Sequence, residues 1–148
     1  MIKINSESRQ QTEKTGYNLG AAIPYGKVVA LFGDLGAGKT AFTSGFVKGM
    51  GLNAFVTSPT FALVNDYSEG DKKVYHFDMY RISGWDDLYS TGYFDYLDEG
   101  ATLIIEWSEN IESVLPEDCI RVIINKTDDE NQRSIEIIGC DNIEITCG

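Results

Sequence analysis

The chain has 148 residues and is 43% hydrophobic, enough to bury about two-thirds of its unfolded surface in one core and too little for two. A formal charge of −11 excludes a primary grip on a nucleic-acid backbone, which takes clustered Lys and Arg. The three cysteines, Cys119, Cys140 and Cys147, show no C-x-x-C spacing and exclude a disulfide framework or zinc site, and no apolar run approaches the length of a membrane span.

One domain over residues 1–148, soluble, cytoplasmic and without a membrane partner, is therefore expected, and it opens with a short strand from Ile2 to Asn5. Ser8 and Gln11 have capping-box spacing, and Thr12, Gly16, Leu19, Gly20 and Ile23 share one helical face, so a helix should run from about Ser8 to Ala22. Pro24 and Gly26 punctuate the entry to an apolar strand, Lys27 to Phe32. Residues 33–40 then read Gly-Asp-Leu-Gly-Ala-Gly-Lys-Thr, a G-x-x-x-x-G-K-T between a strand and a helix. Each part has a chemical reason. The glycines let backbone N–H groups close around phosphate oxygens, Lys39 reaches the β- and γ-phosphates, and the Thr40 hydroxyl can ligate Mg²⁺. The positive end of the following helix adds to the cradle. Phe42, Gly45, Phe46, Gly49 and Met50 keep the helical period, and Gly51 marks its stop.

Val56 to Thr60 reads as a polar loop, since Pro59 holds Ser58 extended, and a strand from Phe61 to Tyr67 should follow. Glu69-Gly70-Asp71 turns the chain back into Lys73 to Asp78, with Val74, His76 and Asp78 on one face and Tyr75 and Phe77 on the other. Residues 83–100 mix aromatic and acidic side chains and suggest short helices and loops. Thr102 to Glu106 is a buried strand by its continuous apolar run, Cys119 to Asn125 is another, and Arg133 to Gly139 returns after an acidic turn. The order is that of an α/β P-loop NTPase, a three-layer sandwich whose mixed sheet carries antiparallel flanking strands.

Turnover needs a second metal anchor and a group that positions the attacking water. Glu106, ending the apolar strand, stands where a carboxylate can reach a Mg²⁺ held by Thr40; Asp78, ending its own strand, can orient water or the metal shell. The competing reading of both is a strand-end cap facing solvent. Thr60, twenty residues beyond Thr40, is placed for a switch threonine sensing the γ-phosphate, against the plainer role of starting a strand. The lone histidine, His76, reads as a satisfied structural side chain, Trp107 as core or a lid over the site, and Arg81 as a surface ion pair or an in-cis phosphate contact. Asn125-Lys126-Thr127-Asp128 spells the guanine-reading N-K-x-D, yet Asp78-Met79-Tyr80-Arg81 lacks the glycine of the accompanying D-x-x-G, and the acids after Asp128 read as a hairpin tip. A GTP-binding switch, a small-molecule P-loop kinase and a non-catalytic nucleotide-dependent scaffold are the alternatives.

Together, Gly33 to Thr40, Thr57-Ser-Pro-Thr-Phe-Ala-Leu-Val64, His76-Phe-Asp-Met-Tyr-Arg81 and Ile105-Glu-Trp107 resemble the TsaE family of bacteria, the tRNA threonylcarbamoyladenosine biosynthesis ATPases, over residues 8–125. The resemblance implies a slow ATPase with ATP and Mg²⁺ as cofactors. Its implied partners are a transferase pair, TsaD and TsaB, with tRNA reached indirectly through that complex; self-association stays open. Carried over, the phosphate loop falls on Gly33, Asp34, Leu35, Gly36, Ala37, Gly38, Lys39 and Thr40 and the Mg²⁺ ligands on Thr40 and Glu106. The switch threonine falls on Thr60, the catalytic or water-positioning acid on Asp78, and the aromatic neighbour on Trp107. Further nucleotide contacts fall near Thr12 and Arg133.

Overall fold

The computed structural model describes residues 1–34, 36–57, 59 and 63–140. The alternation of apolar runs with helical periods folds into a sheet that is, among the described residues, seven-stranded. Its elements are β1 (Ile2–Ser6), α1 (Arg9–Ala22), β2 (Val28–Phe32), α2 (Lys39–Gly49), β3 (Val64–Asp66), β4 (Val74–Asp78), α3 (Trp85–Ser90), α4 (Tyr93–Asp98), β5 (Thr102–Glu106), a 3-10 helix (Ser108–Val114), β6 (Ile120–Lys126) and β7 (Arg133–Ile138). The strand order is β1-β7-β6-β2-β5-β4-β3. β2 lies in the middle, parallel to β5 on one side and to β6 on the other, and β4 is parallel to β5. β1, β7 and β3 run antiparallel to their neighbours, so the flanks are antiparallel as expected.

Central strands buried on both faces should read as continuous apolar runs, and β2 and β5 do. One face carries Val29, Leu31, Ile104 and Val122 against Leu19 of α1 and Phe42 and Phe46 of α2. The other carries Val28, Ala30, Phe77, Leu103 and Ile105 against Leu88 of α3 and Tyr93 of α4. Helices on both faces make three layers. Phe42 and Phe46 are fully buried, each stabilising by roughly 1.5–3 kcal/mol.

Helix α1 begins where the capping spacing placed it: the Ser8 hydroxyl accepts the Gln11 N–H at 3.1 Å and the Gln11 amide oxygen accepts the Glu7 N–H at 2.8 Å. α1 and α2 touch through glycines. A Cβ at Gly45 would lie 1.8 Å from the Glu13 carbonyl oxygen, and one at Gly16 would lie 2.1 Å from that of Phe42. The strand expected over Phe61 to Tyr67 is shorter. Residues 61 and 62 lie outside the described residues, Leu63 takes a left-handed backbone (φ 61°) that interrupts extension, and β3 covers three residues. The 3-10 helix after Trp107 has no counterpart in the sequence reading. No helix among the described residues is long and apolar enough to cross a membrane.

Candidate nucleotide site

The phosphate loop leaves the C-terminal end of the central strand β2, the position at which open parallel sheets bind ligands. Gly33 has φ +152°, and a Cβ there would come within 2.4 Å of the Ile124 carbonyl oxygen, so any side chain would push the loop off β6. Gly38 has φ +111° and forms the N-cap of α2, where no side chain caps the helix. An uncapped helix start after a glycine loop offers its first N–H groups to an anion. Leu35 and Thr60 lie outside the described residues.

Sheet register brings the acids to the loop. Asp78 pairs directly with Glu106 at the ends of parallel β4 and β5. Glu106 is buried, and its Oε1 accepts the Thr40 hydroxyl at 3.3 Å. A hydroxyl and a carboxylate oxygen meeting at the mouth of a phosphate loop are hard donors that fit Mg²⁺. That ion is characteristically held by one or two protein oxygens plus phosphate oxygens and water. Among the described residues no cluster of three or more acid, His or Cys ligands could hold a metal unaided. Burial raises the pKa of Asp78, and Glu106 adds to that; the Tyr80 N–H, His76 and Lys39 pull it back down. Its Oδ1 accepts the Tyr80 N–H at 2.9 Å.

Lys39 is buried at 5% exposure. Its Nζ donates to the carbonyls of Gly33 and Asp34 and sits 3.6 Å from the centre of the Trp107 ring. Desolvation lowers its pKa, while Glu109, Glu106, Asp78 and Asp34 raise it. Trp107 itself has a left-handed backbone (φ 58°), which turns the chain from β5 into the 3-10 helix; its indole packs on the core cluster and also lies against Lys39. Tyr80 packs on the indole at 4.9 Å between ring centres.

These groups line one cavity of about 700 Å³. Lys39, Thr40, Asp78, Glu106 and Trp107 border it together with Gly36, Ala37, Gly38, Thr12 and Arg133. The Thr12 hydroxyl is paired with that of Ser6 at 2.7 Å. Arg133 clasps the loop, its Nε donating to the Ala37 carbonyl at 3.0 Å and an Nη to that of Gly36 at 3.2 Å. Arg81 also borders the cavity. Asp128 is exposed in the β6–β7 turn and is not among the cavity-lining residues, as its hairpin-tip reading implies. Two features escaped the sequence. Glu109 accepts the Gly33 N–H at 3.0 Å, for which its spacing three residues after Glu106 was the available signal. His76 bonds Glu106 directly, a pairing between two strands for which the sequence carried no local signal.

Residues 6–135 match the family described as "Threonylcarbamoyl adenosine biosynthesis protein TsaE". A tRNA threonylcarbamoyladenosine biosynthesis protein TsaE from Bacillus subtilis is 33% identical over 99% of this chain and 91% of its own length. One from Haemophilus influenzae is 43% identical over 78% of this chain and 72% of its own. A crystal structure of Bacillus subtilis YdiB superposes with a TM-score of 0.73 at 31% identity, covering 90% of this chain and 82% of that one.

Proposed function

Since the chain belongs to the TsaE family of threonylcarbamoyl adenosine biosynthesis proteins, we propose that it binds ATP with Mg²⁺, hydrolyses it slowly, and thereby resets a TsaD–TsaB transferase pair between rounds of tRNA modification in the cytoplasm. The observation that carries this reading is the meeting of Lys39, Thr40, Asp78 and Glu106 on one cavity above the phosphate loop. Loop N–H groups and Lys39 would bind the β- and γ-phosphates, while Thr40 and Glu106 would hold the metal. Bound Mg²⁺ would neutralise the charge that develops on the phosphate oxygens. Asp78, whose Oδ1 accepts the Tyr80 N–H, lines the same cavity and would use its second oxygen to orient the attacking water. Thr60 is the proposed γ-phosphate sensor, and Trp107 covers Lys39.

Charge distribution supports a protein partner that itself carries the tRNA. Between Arg81 and Arg121 lie ten of the chain's 23 acids and none of its 12 Lys and Arg, and seven of the ten fall on α3, on α4 with its C-cap, and on the 3-10 helix. Within that segment Trp85 and Tyr89 are 59% and 63% exposed. An acidic, aromatic surface suits a basic protein and repels a nucleic-acid backbone.

The test counts modified tRNAs formed per transferase complex, with threonylcarbamoyl-adenylate supplied, with and without this protein and its Glu106→Ala variant. Many turnovers with the unmutated protein and MgATP, and about one with Glu106→Ala, are expected. Equal turnover with and without the protein would overturn the role.

A further inference from the structure

His76 lies on β4 with no exposed surface, and both of its ring nitrogens are engaged. Nε2 is 2.5 Å from Glu106 Oε2, the oxygen that does not face Thr40. A carboxylate accepts, so Nε2 carries the proton, and in the neutral ring Nδ1 is then the acceptor for the Tyr67 hydroxyl at 3.1 Å. Tyr67 is 7% exposed, and burial raises its pKa, which keeps it a donor. The Tyr67 oxygen also lies 3.2 Å from the Thr57 carbonyl, and the Asn65 amide reaches that carbonyl at 3.0 Å and the Tyr67 oxygen at 3.2 Å.

The pairings form one line, from Thr40 through Glu106, His76 and Tyr67 to the backbone of Thr57. We propose that His76 is a positioning residue, holding Glu106 by one oxygen so that the other is presented to Mg²⁺, and that Tyr67 and Asn65 tie this carboxylate to the chain entering the Thr60 loop. The proposal rests on the Mg²⁺ assignment of Thr40 and Glu106 and extends it.

Three features favour this over a packing role. The ring is fully buried with the Glu106 carboxylate on one nitrogen and the Tyr67 hydroxyl on the other, so a Leu of similar volume would fill the space but leave a buried carboxylate oxygen without its donor. Both nitrogens are spent within the protein, so His76 has none left for a nucleotide. A carboxylate pinned at one oxygen loses the freedom to turn both away from the metal, which is how outer hydrogen bonds sharpen metal sites, at a typical cost of 10–100-fold in metal affinity when removed. The Tyr67 hydroxyl has one proton and two neighbouring acceptors, His76 Nδ1 and the Thr57 carbonyl. A shift of Glu106 on metal binding would reach Thr57 through these contacts.

The test is calorimetric binding of ADP to the intact protein, with Mg²⁺ and with EDTA, for the unmutated chain and for His76→Leu, His76→Gln and Tyr67→Phe, together with amide exchange of residues 52–57. In His76→Leu, affinity in EDTA should stay within about twofold while the gain from Mg²⁺ falls by about 10–100-fold. His76→Gln, which keeps an N–H donor toward Glu106, should recover part of that gain. Tyr67→Phe should keep most of the gain and speed exchange at residues 52–57. An undiminished Mg²⁺ gain in His76→Leu overturns the positioning role alone. If His76→Leu fails to fold, His76→Gln and Tyr67→Phe decide: a full Mg²⁺ gain in His76→Gln with unchanged exchange in Tyr67→Phe overturns the role. Absence of any Mg²⁺ gain in the unmutated protein would instead overturn the metal assignment of Thr40 and Glu106, and this role with it.

Discussion

Asp78 and Lys39 show how one cavity sets opposite demands on neighbouring charges. Burial destabilises the charged form of each, and each partly relieves the other. A carboxyl whose pKa is raised by folding favours the folded state most when protonated. Its contribution is whole below the ordinary carboxylate range and is lost as pH rises through the raised value. At pH near 7 Asp78→Asn should therefore melt no lower than the unmutated protein, because the amide oxygen still accepts the Tyr80 N–H. Its single-turnover ATP hydrolysis should fall by ~10²-fold or more, as expected for loss of a water-positioning acid. Arg133→Ala removes two donors to the loop carbonyls of Ala37 and Gly36. Nucleotide affinity should drop about tenfold in a calorimetric titration, the equivalent of ~1.4 kcal/mol, with little change in melting. At this scale Lys39, Thr40 and Glu106 were legible in sequence because the chemistry of phosphate and Mg²⁺ dictates their types and their places next to strands. Glu109 was not, because its reach to Gly33 depends on the turn that left-handed Trp107 starts.

The α1–α2 pair is where element boundaries and element packing part company. Periodicity places Gly16, Gly20, Gly45 and Gly49 on helical faces, but a glycine in a helical pattern reads locally as a weak helix former. In the folded protein these four let two backbones touch: added Cβ atoms would stand 1.8–2.3 Å from carbonyl oxygens of the opposite helix. In an open helix Gly→Ala stabilises by roughly 0.5–1 kcal/mol. Here the sign should reverse, with Gly45→Ala losing ~2 kcal/mol or more in a urea melt through forced separation of the helices. Gly84→Ala serves as the control, since nothing lies within 4 Å of its added Cβ and its backbone is extended. That variant should melt as the unmutated protein does. β3 failed to match its expected length for a related reason: the apolar run from Phe61 predicts extension, whereas Leu63 adopts a left-handed conformation and its carbonyl accepts the Asp78 N–H at 3.0 Å.

For the whole molecule, net charge matters less than its placement. Seven of the ten acids between Arg81 and Arg121 lie on α3, on α4 with its C-cap, and on the 3-10 helix, opposite α1 and α2, while Arg9, Lys39, Arg81 and Arg133 border the nucleotide cavity together with Asp78, Glu106 and Glu130. The molecule is thus polarised, of mixed charge where phosphate would bind and anionic on the α3–α4 side. Exposed charges chiefly govern encounter rate and salt dependence. The double variant Asp95→Asn with Asp98→Asn should slow association with the proposed transferase partner by several-fold and flatten its dependence on ionic strength, read by stopped-flow mixing, while leaving melting unchanged. A variant that associates at the unmutated rate at every salt concentration would exclude this face from the encounter.

The sequence by itself determined the phosphate loop, the strand before it, the helix after it, the acids that end β4 and β5, and the α/β class. Glycine stereochemistry, capping spacing and apolar period act over a few residues and need no distant partner. Only the tertiary structure decided that β6 lies beside β2 and that Arg133 closes over the loop almost a hundred positions earlier. It likewise set Trp107 against Lys39 and His76 between Glu106 and Tyr67. Those contacts follow from strand order and register, which the packing of both sheet faces selects jointly and no local pattern encodes.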